Sequence, residues 1–373
     1  MSEIKLLIIA TTKFELDGIT NVILNYYRAM DKTDLQIDFV IPNQISKELL
    51  KEIKSYGSRV FVIENRNKNP ISYMLKLSKI IKMNQYDIVH AHGNSHTLAI
   101  EMYTAKKCGV PIRIPHSHNT TCKYKFVHNM LTPMFNSSYT HGFACGKEAG
   151  EWLFGEKPFQ VILNGIHIEK YLFNPDIRTE YREALNLVGK KVIGHVGALS
   201  QRKNQNFLIE IFKELYKMDL DFRLILIGDG NIREELEKKV KGYGFDHAVH
   251  FLGKRRDVPE LMQAMDMIIM PSLHEGLPLT LVEAQTAGLP CYVSDTITTE
   301  VNLTGLVKFI SLEEPPLIWA RKIYNDYLSI DRSAMRQNIL NTIIEAGYSI
   351  KDNAAFMKKL YKKYLSESKT VKQ

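Results

Sequence analysis

The segment MDMIIMPSLHEGLPLTLVEAQTAGLPCYVS, residues 265–294, sets the reading of this chain. An apolar run ends at Pro271-Ser272, and a polar loop carries His274, Glu275 and Gly276. LTLVEAQTAG then shows helical periodicity, and PCYVS is apolar again. Strand, loop, helix, strand in that order is the parallel crossover unit of α/β proteins. Pro278 suits the first turn of the helix. Glu275 therefore lies in the loop above a strand end, and Glu283 on the helix that follows. A carboxylate accepts two hydrogen bonds well, which suits the vicinal hydroxyls of a ribose or hexose. Gly276 lets a ligand approach the backbone. The amides around Leu277 and Leu279 stand at a helix start, where they can receive phosphate or hydroxyl groups. A capped helix with a surface salt bridge would use the same residue types, so spacing alone leaves both readings open.

The same alternation runs through the chain. Apolar runs at 5–10, 36–42, 59–63, 86–93 and 111–118 are separated by amphipathic stretches such as 21–30 and 71–83. Runs at 191–197, 221–230, 248–253, 265–272 and 290–294 are separated by helical segments near 204–217, 231–243, 257–264 and 278–287. Two such series predict two Rossmann-like domains built on parallel sheets with right-handed crossovers. The boundary is expected after VILNGIHIEKYLFNP, 161–175, because Asn164-Gly165 is a turn signal and Pro175 ends an extended segment. That gives domains over 1–175 and 176–350, with a basic amphipathic helix, 351–367, packing back on the first. Unusual residues follow strand ends again and again: Asp17-Gly18, His90 and His92, His116 and His118, Gly197 through Lys203, Gly228-Asp229-Gly230, and His274 through Gly276. Open α/β sheets bind ligands there, so a cleft between the two domains is expected.

Composition agrees. A chain of 373 residues exceeds one core and fits two domains, and 45% hydrophobic residues predict a packed protein. The run Leu6–Ala10 is too short for a signal or a membrane span and reads as a buried strand. No other stretch reaches transmembrane length, so a cytoplasmic protein is expected. Cys108, Cys122, Cys145 and Cys291 form no C-x-x-C pair and read as reduced thiols. A net charge of +8 suits anionic partners. No zinc module, RNA-binding signature or arginine-rich tract is present, so nucleic acid is not expected.

Ser272-x-x-Glu275-Gly276-Leu277-Pro278, followed by Glu283-Ala284 and Ala287-Gly288-Leu289-Pro290, resembles the Glu-x7-Glu signature of family 4 of the retaining GT-B glycosyltransferases. VHFLGKRRDVPELMQAMDMIIMPS resembles the segment before that signature, VGALSQRKNQNFLIEIF the phosphate-binding loop, and VILNGIHIEKYLF the interdomain stretch. DIVHAHG and RIPHSHNT resemble N-domain segments of capsule and exopolysaccharide transferases. The resemblance covers the whole chain. It implies an α/β GT-B fold, two Rossmann-like domains facing across a cleft, with the first on the acceptor side and the second binding a nucleotide sugar.

On these motifs the resemblance assigns Glu283 to the ribose hydroxyls of the donor. It assigns Glu275, with Gly276, Leu277, Pro278 and Leu279, to the donor sugar. Lys203 would pair with the diphosphate and stabilise charge on the leaving nucleoside diphosphate, with no metal required if cations and helix N-termini face it. Gly18 and Gly197 would border the donor through backbone groups. Gly228, Gly230, Leu252 and Gly253 are expected to border the nucleotide base through backbone groups. The family's Gly-Arg is Gly197-Ala198 here, so the first diphosphate cation is missing, and Arg202 could reach in. The family's Gly-Gly is Asp17-Gly18, and its aspartate after Asn164-Gly165 is His167. Those two residues resemble cleft-floor positions near a hinge, although a plain turn explains Asn-Gly equally well.

HAHG and HSHN each place two histidines on one side of an extended end. No carboxylate or thiol stands with them at ligand spacing, so no metal site is expected. His118 is the best match to the family's N-domain histidine near sugar and acceptor, with His116 second. His90 and His92 are expected to be packed or hydrogen-bonded. Two basic amphipathic stretches, YMLKLSKIIKM and TCKYKFVHNMLTPMF, could rest on an anionic membrane, although an ordinary packed helix explains the first as well. The resulting expectation is a hexosyl- or N-acetylhexosaminyltransferase without cofactor. It would use a UDP-sugar and a glycan or polyprenyl-diphosphate-linked oligosaccharide acceptor in capsule or exopolysaccharide synthesis, on the inner face of the plasma membrane. An epimerase or phosphorylase on the same fold, and a non-catalytic nucleotide- or glycan-binding partner, are the alternatives.

Overall fold

Thirteen strands fall into two sheets in this computed structural model, which describes residues 3–14, 18–326 and 331–370. The chain divides into two units, Met1–Gly165 with Ile350–Gln373, and Ile166–Ser349. The first sheet contains β1 (Ile4–Ala10), β2 (Leu35–Ile41), β3 (Val60–Val62), β4 (Ile88–Gly93), β5 (Ile112–Ser117), β6 (Phe143–Ala144) and β7 (Gln160–Val161), in the order β3-β2-β1-β4-β5-β6-β7. The second contains β8 (Lys191–Val196), β9 (Phe222–Ile227), β10 (Val249–Gly253), β11 (Met267–Met270), β12 (Cys291–Ser294) and β13 (Val307–Ile310), in the order β10-β9-β8-β11-β12-β13. Every pairing between them is parallel. β6, β7 and β13 have no counterpart in the sequence reading. The first two are two residues each, too short to show periodicity.

Burial on both sheet faces explains the near-continuous apolar strands. In the second unit Leu224, Leu226, Met267 and Ile269 pack with Leu208, Phe212 and Trp319 on one face. Their neighbours Ile225, Ile227, Ile268 and Met270 pack with Leu281, Ala284 and Val293 on the other. Both sheets reverse strand order, at β1/β4 and at β8/β11, which in open α/β sheets is where ligands bind.

The division falls at Gly165, before the expected Pro175. Residues 166–175 belong to the second unit because they are tied into it. Ile166 bridges Ser349 and donates its N–H to the Tyr348 carbonyl at 2.8 Å. The Asn174 N–H donates to Gln263 Oε1 at 3.1 Å, and Asn174 caps the helix Pro175–Ala184. Arg178 and Arg182 of that helix hold Asp266 at 2.5 and 3.2 Å, and Asp266 accepts the Val192 N–H at 2.7 Å, fixing the start of β8.

The terminal helix Ile350–Thr370 belongs to the first unit. Lys358 reaches Asp31 and Asp34 at 2.7 and 2.5 Å, and the Lys358 bond holds the Asp31 carboxyl down at about 2. Gly165 has ordinary φ, so no left-handed turn requires glycine there. Close approach does: a Cβ would lie 2.6 Å from Ile350 Cα and 2.8 Å from Ile350 N. Gly165→Ala should therefore cost about 1–3 kcal/mol through backbone displacement, read as a lower thermal midpoint of the full chain.

Candidate active site

In the second unit two loops leave the adjacent strands β8 and β11. The first, Gly197 through Lys203, is crowded by backbone. A Cβ on Gly228 would strike the Gly197 carbonyl, and one on Gly230 the Leu199 carbonyl. These two glycines thus support the loop. Gly228 donates its N–H to the Gly253 carbonyl at 2.8 Å, and Gly253 has a left-handed φ of 65°. Buried Gln205 ties the loop from within. It accepts the Ser200 N–H at 3.2 Å and donates to the Ala198 carbonyl at 2.9 Å. His195 lies beneath, with Nδ1 2.9 Å from the Ile269 carbonyl and Nε2 3.0 Å from the Gln205 amide. Nothing in the motif reading pointed to Gln205, because its role depends on folding back across the loop.

The second loop is anchored by Ser294 and Thr296, whose hydroxyls donate to the Ser272 carbonyl at 2.6 and 2.8 Å. The Leu273 N–H donates to the Arg202 carbonyl at 2.8 Å, joining the loops. Their side chains meet as well. Lys203 Nζ lies 2.7 Å from Glu275 Oε1, with both side chains nearly buried, and Arg202 NH1 lies 3.9 Å from Glu275 Oε2. The lysine contact is electrostatic, without hydrogen-bond alignment, so Oε1 keeps its acceptor capacity. Ser272 Oγ is also buried without a partner. Gly276 has open space where a Cβ would be. Arg202 is the more exposed cation, with its side chain 58% accessible.

The helix Leu279–Thr286 starts one residue later than expected, with Pro278 as its N-cap. Proline has no side-chain acceptor, so no side chain caps this helix start. Glu283 faces inward. Its carboxyl is enclosed although the residue keeps some exposure, and burial raises its pKa. The Tyr171 hydroxyl donates to it at 2.7 Å. Gln263 places that tyrosine by donating to its carbonyl at 3.0 Å. Tyr171 lay inside a quoted motif but was not singled out, since its contact spans over a hundred residues of chain. Arg332 fixes the other end of the helix. Its Nε donates to the Ala287 carbonyl at 2.7 Å, and NH1 to the Gln263 and Met265 carbonyls at 3.1 and 3.0 Å. Burial pushes its guanidinium down to about 9. A surface cavity of about 510 Å³ lies elsewhere in this unit, beside Lys170, Phe173, Arg256 and Arg336, and no candidate residue lines it.

In the first unit Gly18 opens the helix Gly18–Ala29, exposed and with open space at its Cβ direction, while Asp17 lies outside the described residues. Asn164 Oδ1 is buried without a partner beside Gly165. The four motif histidines form one array. His90 Nε2 lies 3.1 Å from His116 Nδ1, His92 Nδ1 lies 2.8 Å from His118 Nε2, and His90 Nδ1 lies 2.7 Å from the Tyr361 hydroxyl. His116 is fully buried, so an acceptor cannot touch it in this conformation. Burial pushes His90 and His118 down to about 3, and holds His92 and His116 well below the usual imidazole range. All four are neutral at pH 7. The four cysteines are free thiols.

Two doubly wound parallel α/β units, with a cation and a carboxylate at the strand-order reversal of the second, have the layout of the GT-B fold class. Residues 177–302 match the model of the glycosyl transferases group 1, and residues 16–170 that of Glycosyltransferase Family 4. A Bacillus subtilis (strain 168) chain carrying the glycosyltransferase name EpsF is 33% identical over 359 residues, spanning 92% of this chain and 93% of its own. The chain belongs to family 4 of the GT-B glycosyltransferases. A UDP-Gal:alpha-D-GlcNAc-diphosphoundecaprenol alpha-1,3-galactosyltransferase of Escherichia coli is 28% identical over 307 residues, covering 75% of this chain and 76% of that one. The crystal structure of HepE from Anabaena in complex with UDP has the same fold, with a TM-score of 0.75 at 17% identity, over 96% of this chain and 100% of that one.

The raised pKa of Glu283 fixes the sign of a stability test. The carboxyl's contribution is fully present below its unfolded value and is lost as pH rises through the folded one, so the ionised group weighs on the fold at neutral pH. Glu283→Gln should raise the thermal midpoint at pH 7–8 and leave it nearly unchanged near pH 4. Tyr171→Phe should lower it at neutral pH by about 1.5–3 kcal/mol equivalent, as loss of a hydrogen bond to a charged group does.

Proposed function

We propose that this glycosyltransferase moves a hexosyl or N-acetylhexosaminyl group from a UDP-sugar to a growing lipid-linked glycan in exopolysaccharide or capsule synthesis. The anomeric configuration is retained, and no metal or other cofactor is needed for transfer. The observation that carries the reading is the Lys203–Glu275 contact at 2.7 Å beside an uncapped helix start at the β8/β11 reversal. A buried cation, a carboxylate with spare acceptor capacity and free amides are the groups a sugar diphosphate needs. The HepE complex with UDP and the galactosyltransferase's diphosphoundecaprenol acceptor support the choice of donor and acceptor class.

In this reading Glu283 accepts from the ribose hydroxyls. Glu275 and the amides of Gly276, Leu277 and Leu279, beside Pro278, hold the donor sugar. Lys203 and Arg202 face the diphosphate. Arg202 takes the part of the cation missing at Ala198, and Gly197, Gly253 and Gly18 let backbone approach. The bond from the anomeric carbon to the diphosphate oxygen breaks as the acceptor oxygen bonds to the same face of that carbon. The acceptor proton passes to the departing phosphate oxygen. Neutral His118 serves the sugar and acceptor side by hydrogen bonding, and Asn164 and Gly165 are the other residues of the first unit assigned to the acceptor. Epimerisation on the same fold would instead leave the sugar on its nucleotide, so product analysis separates the two reactions.

The test is nucleotide release from a panel of UDP-, GDP- and ADP-sugars with EDTA present, followed by transfer to a polyprenyl-diphosphate-linked acceptor. One UDP-sugar should be turned over. Lys203→Ala should lower kcat about 100–1,000-fold, as removal of one preorganised charge-stabilising group does, and Arg202→Ala should chiefly raise the donor KM. Release that requires a divalent ion would contradict the metal-free reading.

Among the described residues no helix is long and apolar enough to cross a membrane. Contact with an anionic membrane surface is proposed through two basic, apolar faces of the first unit. Ile71, Leu75 and Met83 stand exposed beside Lys76, Lys79 and Lys82, while Tyr73, Leu77 and Ile81 on the same helix are buried. Tyr124, Phe126 and Met130 stand exposed beside Lys123 and Lys125, with Phe126 at 78%. The chain should float with vesicles containing phosphatidylglycerol and not with pure phosphatidylcholine, and Phe126→Asp should reduce flotation severalfold.

A further inference from the structure

Three buried imidazoles, His90, His92 and His116, and the buried Tyr361 hydroxyl meet along β4 and β5, with half-buried His118 beside them. Ligand nitrogens of His90, His92 and His116 all lie within 4.8 Å of one another.

We propose that His90, His92 and His116 bind one divalent transition-metal ion of the zinc, cobalt, nickel type, with water completing the shell. The sequence places the ligands. His90 and His92 share one side of β4 by the period of two, and the parallel register sets His92 opposite His116 of β5. An all-imidazole set suits this class of ion. It excludes calcium and magnesium, which need oxygen ligands. The His90–His116 separation of 3.1 Å is near the edge of about 3.3 Å set by a tetrahedral ion with 2.0–2.1 Å bonds. The remaining separations close by ring rotation, since the rings are now stacked, with His90 and His92 4.3 Å apart. His90 already has its outer partner: the Tyr361 hydroxyl at 2.7 Å fixes the ring through Nδ1 and leaves Nε2 to the ion. The ion would tie β4 to β5, and through Tyr361 to the terminal helix. All these residues lie in the first unit, whereas the diphosphate-facing cations proposed above lie in the second. The site therefore stands independently of the transfer chemistry, which remains metal-free.

The full chain, without a polyhistidine tag, is stripped with chelator, dialysed against micromolar zinc and assayed for bound metal, thermal midpoint and, with cobalt substituted, visible spectrum. The expected result is about one ion per chain, a raised midpoint and a cobalt spectrum of nitrogen ligation with no thiolate charge transfer. His92→Asn should abolish binding. Tyr361→Phe, which leaves every ligand in place, should weaken it about tenfold or more. Where circular dichroism shows that His92→Asn does not fold, the wild-type cobalt spectrum and Tyr361→Phe decide. No ion retained by the wild-type chain overturns the proposal. So does an ion held equally by a folded His92→Asn variant, or one whose cobalt spectrum shows thiolate ligation.

Discussion

The end of the second unit that carries Lys203 and Glu275 depends on one cross-tie. The Leu273 N–H donates to the Arg202 carbonyl, joining the loop after β8 to the loop after β11. These strands are neighbours only because the strand order reverses between them. Without the backbone bond, Lys203 and Glu275 would belong to two independent loops. With it, a cation and a carboxylate from segments some seventy positions apart in sequence sit 2.7 Å from each other. The loops beneath are made rigid by close backbone packing at Gly228 and Gly230 and by buried Gln205, so the contact is held rather than sampled.

The same region carries an energetic conflict. Glu283 is enclosed with one hydroxyl donor, and Arg332 is buried with carbonyl acceptors and no carboxylate bonded to it. Buried charges disfavour the folded state unless fully paired. The unit compensates elsewhere, through two continuous apolar layers and the Arg178–Asp266–Arg182 group that anchors the start of β8.

The first unit is completed by the last element of the chain. The helix Ile350–Thr370 brings Tyr361 to His90 and Lys358 to Asp31 and Asp34. The chain leaves this unit at Gly165 and returns at Ile350, and the contact between those two backbones leaves no room for a β-carbon. Asn164-Gly165 reads as a turn in sequence, but its glycine is demanded by a neighbour nearly two hundred positions away.

Much of the fold was legible because alternating apolar runs and amphipathic helices are local patterns. The ten strands read from sequence all exist, with ends shifted by a few residues, while β6, β7 and β13 were too short or too weakly patterned to see. The Glu275 and Glu283 motif was legible as spacing, and the basic loop at Arg202 and Lys203 as charge. Other features were not legible, because they arise between segments far apart in the chain: the pairing of Lys203 with Glu275, the Tyr171 hydroxyl on Glu283, the support of the loop by Gln205, and the convergence of four histidines. The sequence by itself determined two parallel α/β sheets and the residue types at their strand ends, through periodicity and turn chemistry. The tertiary structure decided which of those residues share a charge, a proton or a buried nitrogen, because strand order and register, not spacing along the chain, bring them within bonding distance.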